Sequence, residues 1–276
     1  MNIAPFNGPW FAYMAFLIAA AVGLHFSIRH RQPTTKSAVL CAVAVGNVAL
    51  YVAFTGRSIA NPDIPVYLAQ NLPLHLCNLI ALCLVVAPWV KWRPLLAFCA
   101  FPGVITGALG TTSPIDVYLN VPLFSLPGLG FYGVHATNAI LGVLLVTLGF
   151  YQPSWREAFK AVGYVCIVTV AIFPVVIAMR AWVDPDTNYF YLFNPENALI
   201  LQMIYNVLPV PLLYVLLLSP IAVGGFLLIA LIHWWTARLL GKEPVGSRAM
   251  PTGEVSLATA TIPPSEVPTD GPADLA

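Results

Sequence analysis

The segment Asn71-Leu-Pro-Leu-His-Leu-Cys-Asn-Leu79 sets an imidazole and a thiol at the mouth of an otherwise apolar stretch. Leucine would sit there more cheaply, so both residues are candidates for chemistry. A thiol becomes a useful nucleophile when an imidazole takes or shares its proton, and two histidines are near enough in the pattern to consider, His75 and His135. Positions i and i+2 on a helix point about 200° apart, so His75 looks away from Cys77. The same angle argues against a metal ion held by His75, Cys77 and His135, and no Asp or Glu lies inside a span to complete such a set.

His135 is the better partner. A third helix starting near Asn71 puts Cys77 about six residues, roughly 9 Å, below its end, and a fifth starting near Gly128 puts His135 about seven residues below its own. The two groups are then expected at one depth. At about 100° per residue, Leu74, Cys77, Asn78 and Ala81 share one helix side, and Phe131, His135, Asn138, Ala139 and Gly142 share another. Each side joins a reactive group to an asparagine and small residues, the composition that lets membrane helices approach closely and hydrogen-bond, so both are expected to face into a bundle.

Other candidates have blander readings. His25, near Arg29 and His30, and His233, beside Trp234 and Trp235, fit interfacial positions. Cys41, Cys83, Cys99 and Cys166 read as small hydrophobes, with no CxxC pair and no disulfide framework. For His75 a loop contact, a lipid headgroup and a structural hydrogen bond all stay open. The stretch from Val183 to Gln202, VDPDTNYFYLFNPENALILQ, combines turn residues with Tyr189, Phe190, Tyr191 and Phe193. It reads either as an aromatic belt or as a lid in which Asn188 and Tyr189 offer hydrogen bonds to a substrate.

These residues need a membrane framework. Hydrophobic residues make up 59% of the chain and charged ones 8%, with a mean hydropathy of +0.83, too little polar surface to cover a soluble domain. Seven apolar windows, residues 9–28, 37–54, 71–90, 94–112, 129–150, 159–181 and 207–232, approach or exceed the roughly 20 residues that span a bilayer as helix. The fold class expected is therefore an all-α polytopic bundle of about seven transmembrane helices. Of the 12 lysines and arginines only Arg57 and Arg180 fall on one side, which predicts the N-terminus outside and the C-terminus in the cytoplasm. No basic run precedes the first window, so residues 1–28 read as a retained helix and not a cleaved leader. Residues 1–242 form the expected transmembrane domain, and residues 243–276, rich in Pro, Thr, Ser and Gly, an expected disordered cytoplasmic tail.

LPLHLCNLIAL at 72–82, the aromatic and glycine-rich approach to His135, YQPSWREAFKAV at 151–162 and TNYFYL at 187–192, in that order, resemble the signature blocks of the YwaF-like integral membrane proteins. That family embraces the eukaryotic transmembrane protein 164 acyltransferases, and the resemblance covers roughly residues 10–235. It implies transfer of fatty acyl chains between glycerophospholipids and lysophospholipids, with Cys77 as nucleophile and His135 as its partner. A looser likeness of architecture is to the androgen-induced membrane hydrolases of fatty-acid esters. On this expectation His135 activates Cys77, an acyl thioester forms, and Asn78 or Asn138 donates to the oxyanion. Membrane phospholipids are the implied partners, a bacterial plasma membrane the implied location, and no cofactor is called for. The net charge of +1 gives no reason to invoke nucleic acid. A transporter using His75 and His135 lacks intramembrane carboxylates and a visible repeat pair. A non-catalytic seven-helix scaffold is permitted by helix count alone.

Overall fold

The computed structural model describes residues 2–60, 72–114, 119–196 and 198–240. Its helices are α1 (Gly8–Ile28), α2 (Pro33–Ala60), α3 (Leu76–Val90), α4 (Arg93–Thr112), α5 (Leu126–Thr147), α6 (Trp155–Trp182), α7 (Leu199–Val207) and α8 (Leu213–Leu239). Six of them are long and apolar enough to cross a membrane, and α3 is a shorter apolar helix of 15 residues. The protein is an all-α membrane bundle. Large apolar side chains such as Phe16, Val52, Ile167 and Leu228 stand exposed on its outside, as expected where the surrounding solvent is lipid.

Long helices that follow one another in the chain run antiparallel, so each loop belongs to one of two faces. On one, Glu157 of α6 takes Arg93 of α4 at 3.3 Å and Lys160 at 3.0 Å. On the other lie the start of α3, the start of α5 and the aromatic loop 187–196. Between them, Ile80, Leu84, Leu96, Phe101, Leu141, Leu144 and Leu145 form a buried core of α3, α4 and α5.

Helix starts follow local capping chemistry. Asn7 Oδ1 accepts from Trp10 N at 2.9 Å at the head of α1. Ser125 Oγ accepts from Gly128 N at 3.2 Å at the head of α5. Ser154 Oγ accepts from Glu157 N at 3.4 Å, which makes Ser-Trp-Arg-Glu a capping box for α6. Gly149, at φ +85°, ends the turn that follows α5 in the left-handed region suited to glycine.

Two expected boundaries are wrong. The third helix begins at Leu76 and not near Asn71, with extended His75 (φ −67°, ψ 148°) as its N-cap. Pro73 disfavours helical geometry at Leu72, and Leu74 N donates to Leu72 O at 2.7 Å in a tight turn; Asn71 lies outside the described residues. The last span starts at Leu213 and not at 207, because Pro209 and Pro211 each remove a donor and push the preceding residue out of helix. Before them α7 stands as a separate short helix, and α8 is itself interrupted by a turn at Leu217 and Leu218.

One element had no sequence signal: Asn2–Ile3 pairs antiparallel with Val121–Pro122, Asn2 opposite Pro122 and Ile3 opposite Val121. Ile3 is fully buried there with Trp10, Tyr13 and Leu123. The predicted tail from residue 243 lies outside the described residues.

Candidate active site

The closest helix pair sets the site. Gly103, Gly107 and Gly110 recur along one side of α4, and side chains at these positions would strike α5: Gly103 meets the backbone oxygen of Asn138, Gly107 meets Ala139, and Gly110 meets the His135 ring. Gly142 of α5 faces Val104 and Ala100 in return. Small residues thus bring α4 and α5 into backbone contact, and the His135 imidazole occupies the space that Gly110 leaves.

The backbone just before His135 is wider than an α-helix, a π-helical turn over Leu129–Gly133 of the kind found at functional positions. His135 Nδ1 lies 2.8 Å from Phe131 O. A carbonyl only accepts, so Nδ1 carries the proton, and the neutral ring presents Nε2 as an acceptor. The thiol of Cys77 lies near enough to this ring for the two groups to interact electrostatically. With Nδ1 committed, Nε2 is the atom able to take the thiol proton.

Cys77 is the second residue of α3, held from below by α5. Asn138 Nδ2 donates to Cys77 O at 2.8 Å, while Asn138 Oδ1 accepts from Asn47 Nδ2 at 2.9 Å. This buried chain ties α2, α5 and α3 together at the level of the thiol. Cys77 Sγ also sits 3.7 Å from Asn78 Oδ1. The ladder of α3 opens with Asn78 N and Leu79 N donating to His75 O, so the N–H groups of Leu76 and Cys77 precede it at a helix N-terminus.

His75 closes the other side. It is near enough to His135 for their charges to interact, and its ring meets Tyr189 edge-on at 4.9 Å and Tyr191 at 5.8 Å. Tyr189 Oη accepts from Leu72 N at 2.7 Å, fastening the aromatic loop to the turn before α3. Burial pushes the Tyr189 hydroxyl above its ordinary range, so it remains a neutral group. Phe190 and Tyr191 both hold φ +57°, left-handed geometry that non-glycine residues seldom adopt. Asn188 braces this conformation: its Nδ2 donates to Asn194 and to Glu196 Oε1 at 2.7 Å, and its Oδ1 accepts from Phe193 N at 2.9 Å.

Of the seven residues singled out in the sequence, Cys77, His135, Asn138, Asn78 and His75 lie together, and Tyr189 roofs them through His75. Asn188 does not join them; its amide is engaged within its own loop. Asn138 also differs from its expected part, since its amide holds Cys77 O and Asn47 and is not turned to a reacting group. Three residues were overlooked: Asn47, Tyr51, which lies within interaction range of the Cys77 thiol, and Gly110. The signals were present, a lone asparagine in an apolar span and glycines at Gly103, Gly107 and Gly110, but polar residues without charge drew less notice. Among the described residues no group of three or more His, Cys, Asp or Glu is placed to hold a metal ion.

The structure defines a class of protein, a polytopic membrane bundle of helices in which Cys77 of α3 and His135 of α5 lie near one another, each partly buried. Residues 6–231 match the sequence model of the TMEM164 family, and the chain belongs to that family. No curated protein and no solved structure matches it.

Proposed function

We propose that the protein is a phospholipid acyltransferase that works through a thioester on Cys77. The observation that supports this reading is the His135 ring, with Nδ1 held by Phe131 O, in the electrostatic neighbourhood of the Cys77 thiol. Nε2 takes the thiol proton as sulfur attacks the ester carbonyl of a phospholipid. The tetrahedral intermediate collapses, and the same proton passes from Nε2 to the departing lysolipid oxygen. In the second half, Nε2 takes a proton from the hydroxyl of an acceptor lysolipid, whose oxygen attacks the thioester. The sulfur leaves and recovers that proton.

Negative charge on the carbonyl oxygen needs donors. The N–H groups of Leu76 and Cys77, at the head of α3 and outside its hydrogen-bond ladder, suit this role better than Asn138, whose amide is engaged. The roof of His75, Tyr189 and Tyr191 supports transfer over hydrolysis by covering the site against water.

The test uses purified protein in liposomes with a donor phospholipid and an isotopically labelled lysophospholipid. The native chain should give labelled diacyl product and a mass increment of one acyl group on Cys77. Cys77→Ala should lose both, and His135→Gln should slow product formation by about 100-fold or more. Undiminished transfer by Cys77→Ala overturns the mechanism, and release of free fatty acid alone replaces it with ester hydrolysis.

A further inference from the structure

The acyl chain of such an intermediate must lie somewhere, and one surface groove is placed to take it. Val45, Val48 and Val52 of α2 face Leu82, Val85 and Val86 of α3 across an apolar groove of about 450 Å³ that opens toward lipid. Short side chains on both walls leave this space. It is bounded along the helices: at one end Tyr51, next to Val52, lies within electrostatic range of the Cys77 thiol, and at the other Ser37 Oγ of α2 donates to Pro88 O of α3 at 2.9 Å, closing the two helices together.

The groove therefore runs away from the thiol and not past it. Residues four apart on a helix stand one above the other, so Cys77, Ala81 and Val85 form one row and Asn78, Leu82 and Val86 the next. From Cys77 to Val86 is nine residues, about 13 Å along the axis, the reach of roughly ten extended methylene groups.

We propose that this groove between α2 and α3 is the binding site for the fatty acyl chain carried to and held on Cys77, and that its length and width select the chain. The inference rests on the acyl-transfer reading and adds a place for the hydrocarbon. A second apolar groove, lined by Cys166, Ile167, Val170, Ala171, Leu216 and Ser219, opens between α6 and α8. It involves neither helix that carries Cys77 nor the one that carries His135, and so serves as the internal control for ordinary lipid contact.

Two measurements test the proposal. In phosphatidylcholine vesicles containing a phosphatidylcholine with a photoactivatable group at mid-chain, label should enter α2 and α3 around Val48 and Leu82 several-fold more than α6 around Val170. Equal labelling of both grooves overturns it. Val48→Trp and Leu82→Trp fill the groove, and should shift the acyl adduct on Cys77 about tenfold toward short chains, with Val170→Trp leaving the spectrum unchanged. An unaltered spectrum in the filled variants also overturns it. If the native protein forms no adduct at all, the acyl-transfer reading fails, and the labelling still decides whether acyl chains are bound here.

Discussion

His135 depends on an atom that is missing. Gly110 supplies no side chain, and the imidazole occupies the room. Gly110→Ala should displace the ring from Cys77 and lower transfer by about 10- to 100-fold. The variant should still fold, a result to be read from its gel-filtration profile beside its rate. Tyr189 offers a second residue-level prediction. Its hydroxyl accepts from Leu72 N, so Tyr189→Phe removes that acceptor while keeping the ring on His75. About 1 kcal/mol of local stability should go, seen as faster hydrogen exchange at the Leu72 amide and, with water admitted, a larger ratio of free fatty acid to transferred acyl chain. The sequence singles out Cys77, His135 and Tyr189 because thiol, imidazole and phenol stand out among leucines. Gly110 is not singled out, since its contribution is a void, and a void depends on what faces it.

At the scale of elements, the bundle is organised by α5, which packs on α4, α3, α2 and α1. The Asn47–Asn138–Cys77 chain links three of these helices in a setting with little competing water. Asn138→Leu strands Asn47 Nδ2 and cuts the tie to α3, and should destabilise the protein by about 2 kcal/mol or more. Asn47→Leu should destabilise it less, because Asn47 Oδ1 is already buried without a partner among the described residues and is relieved by the change. Unfolding of both variants in mixed micelles with increasing denaturing detergent gives the comparison. The inward faces of the third and fifth helices followed from their spacing in the sequence: Ala81, Asn138 and Gly142 are all buried. The starting point of α3 did not, because hydropathy continues through Leu72 and Leu74 while the backbone turns there. The expected match in depth between Cys77 and His135 assumed a helix from Asn71. In the structure α3 begins only one residue before Cys77, so the residues ahead of the thiol are turn and not helix.

For the molecule as a whole, the candidate site and the Glu157 cluster sit on opposite faces. Glu157, 5% exposed, gathers Arg93, Lys160 and the Tyr151 hydroxyl where α4, α5 and α6 come together. The two basic partners are each 58% exposed at the side chain, so screening limits what each pair contributes. Glu157→Gln should lower the midpoint of thermal unfolding by a few degrees, corresponding to about 1 kcal/mol, and leave the rate constant for acyl transfer unchanged. Seven apolar windows announced the bundle, since bilayer thickness sets helix length. Nothing announced the pairing of Asn2–Ile3 with Val121–Pro122, because two-residue strands carry no periodicity. That pairing has a practical side. Ile3 is wedged beside the entrance to α5, in which His135 stands nine positions after Leu126. A purification handle or fluorescent fusion placed ahead of Asn2 would tug on the helix bearing His135, whereas one following α8, which packs on α6 and α4, would pull on neither that helix nor its strand contact, and assays meant to measure native rates belong on chains tagged at that end.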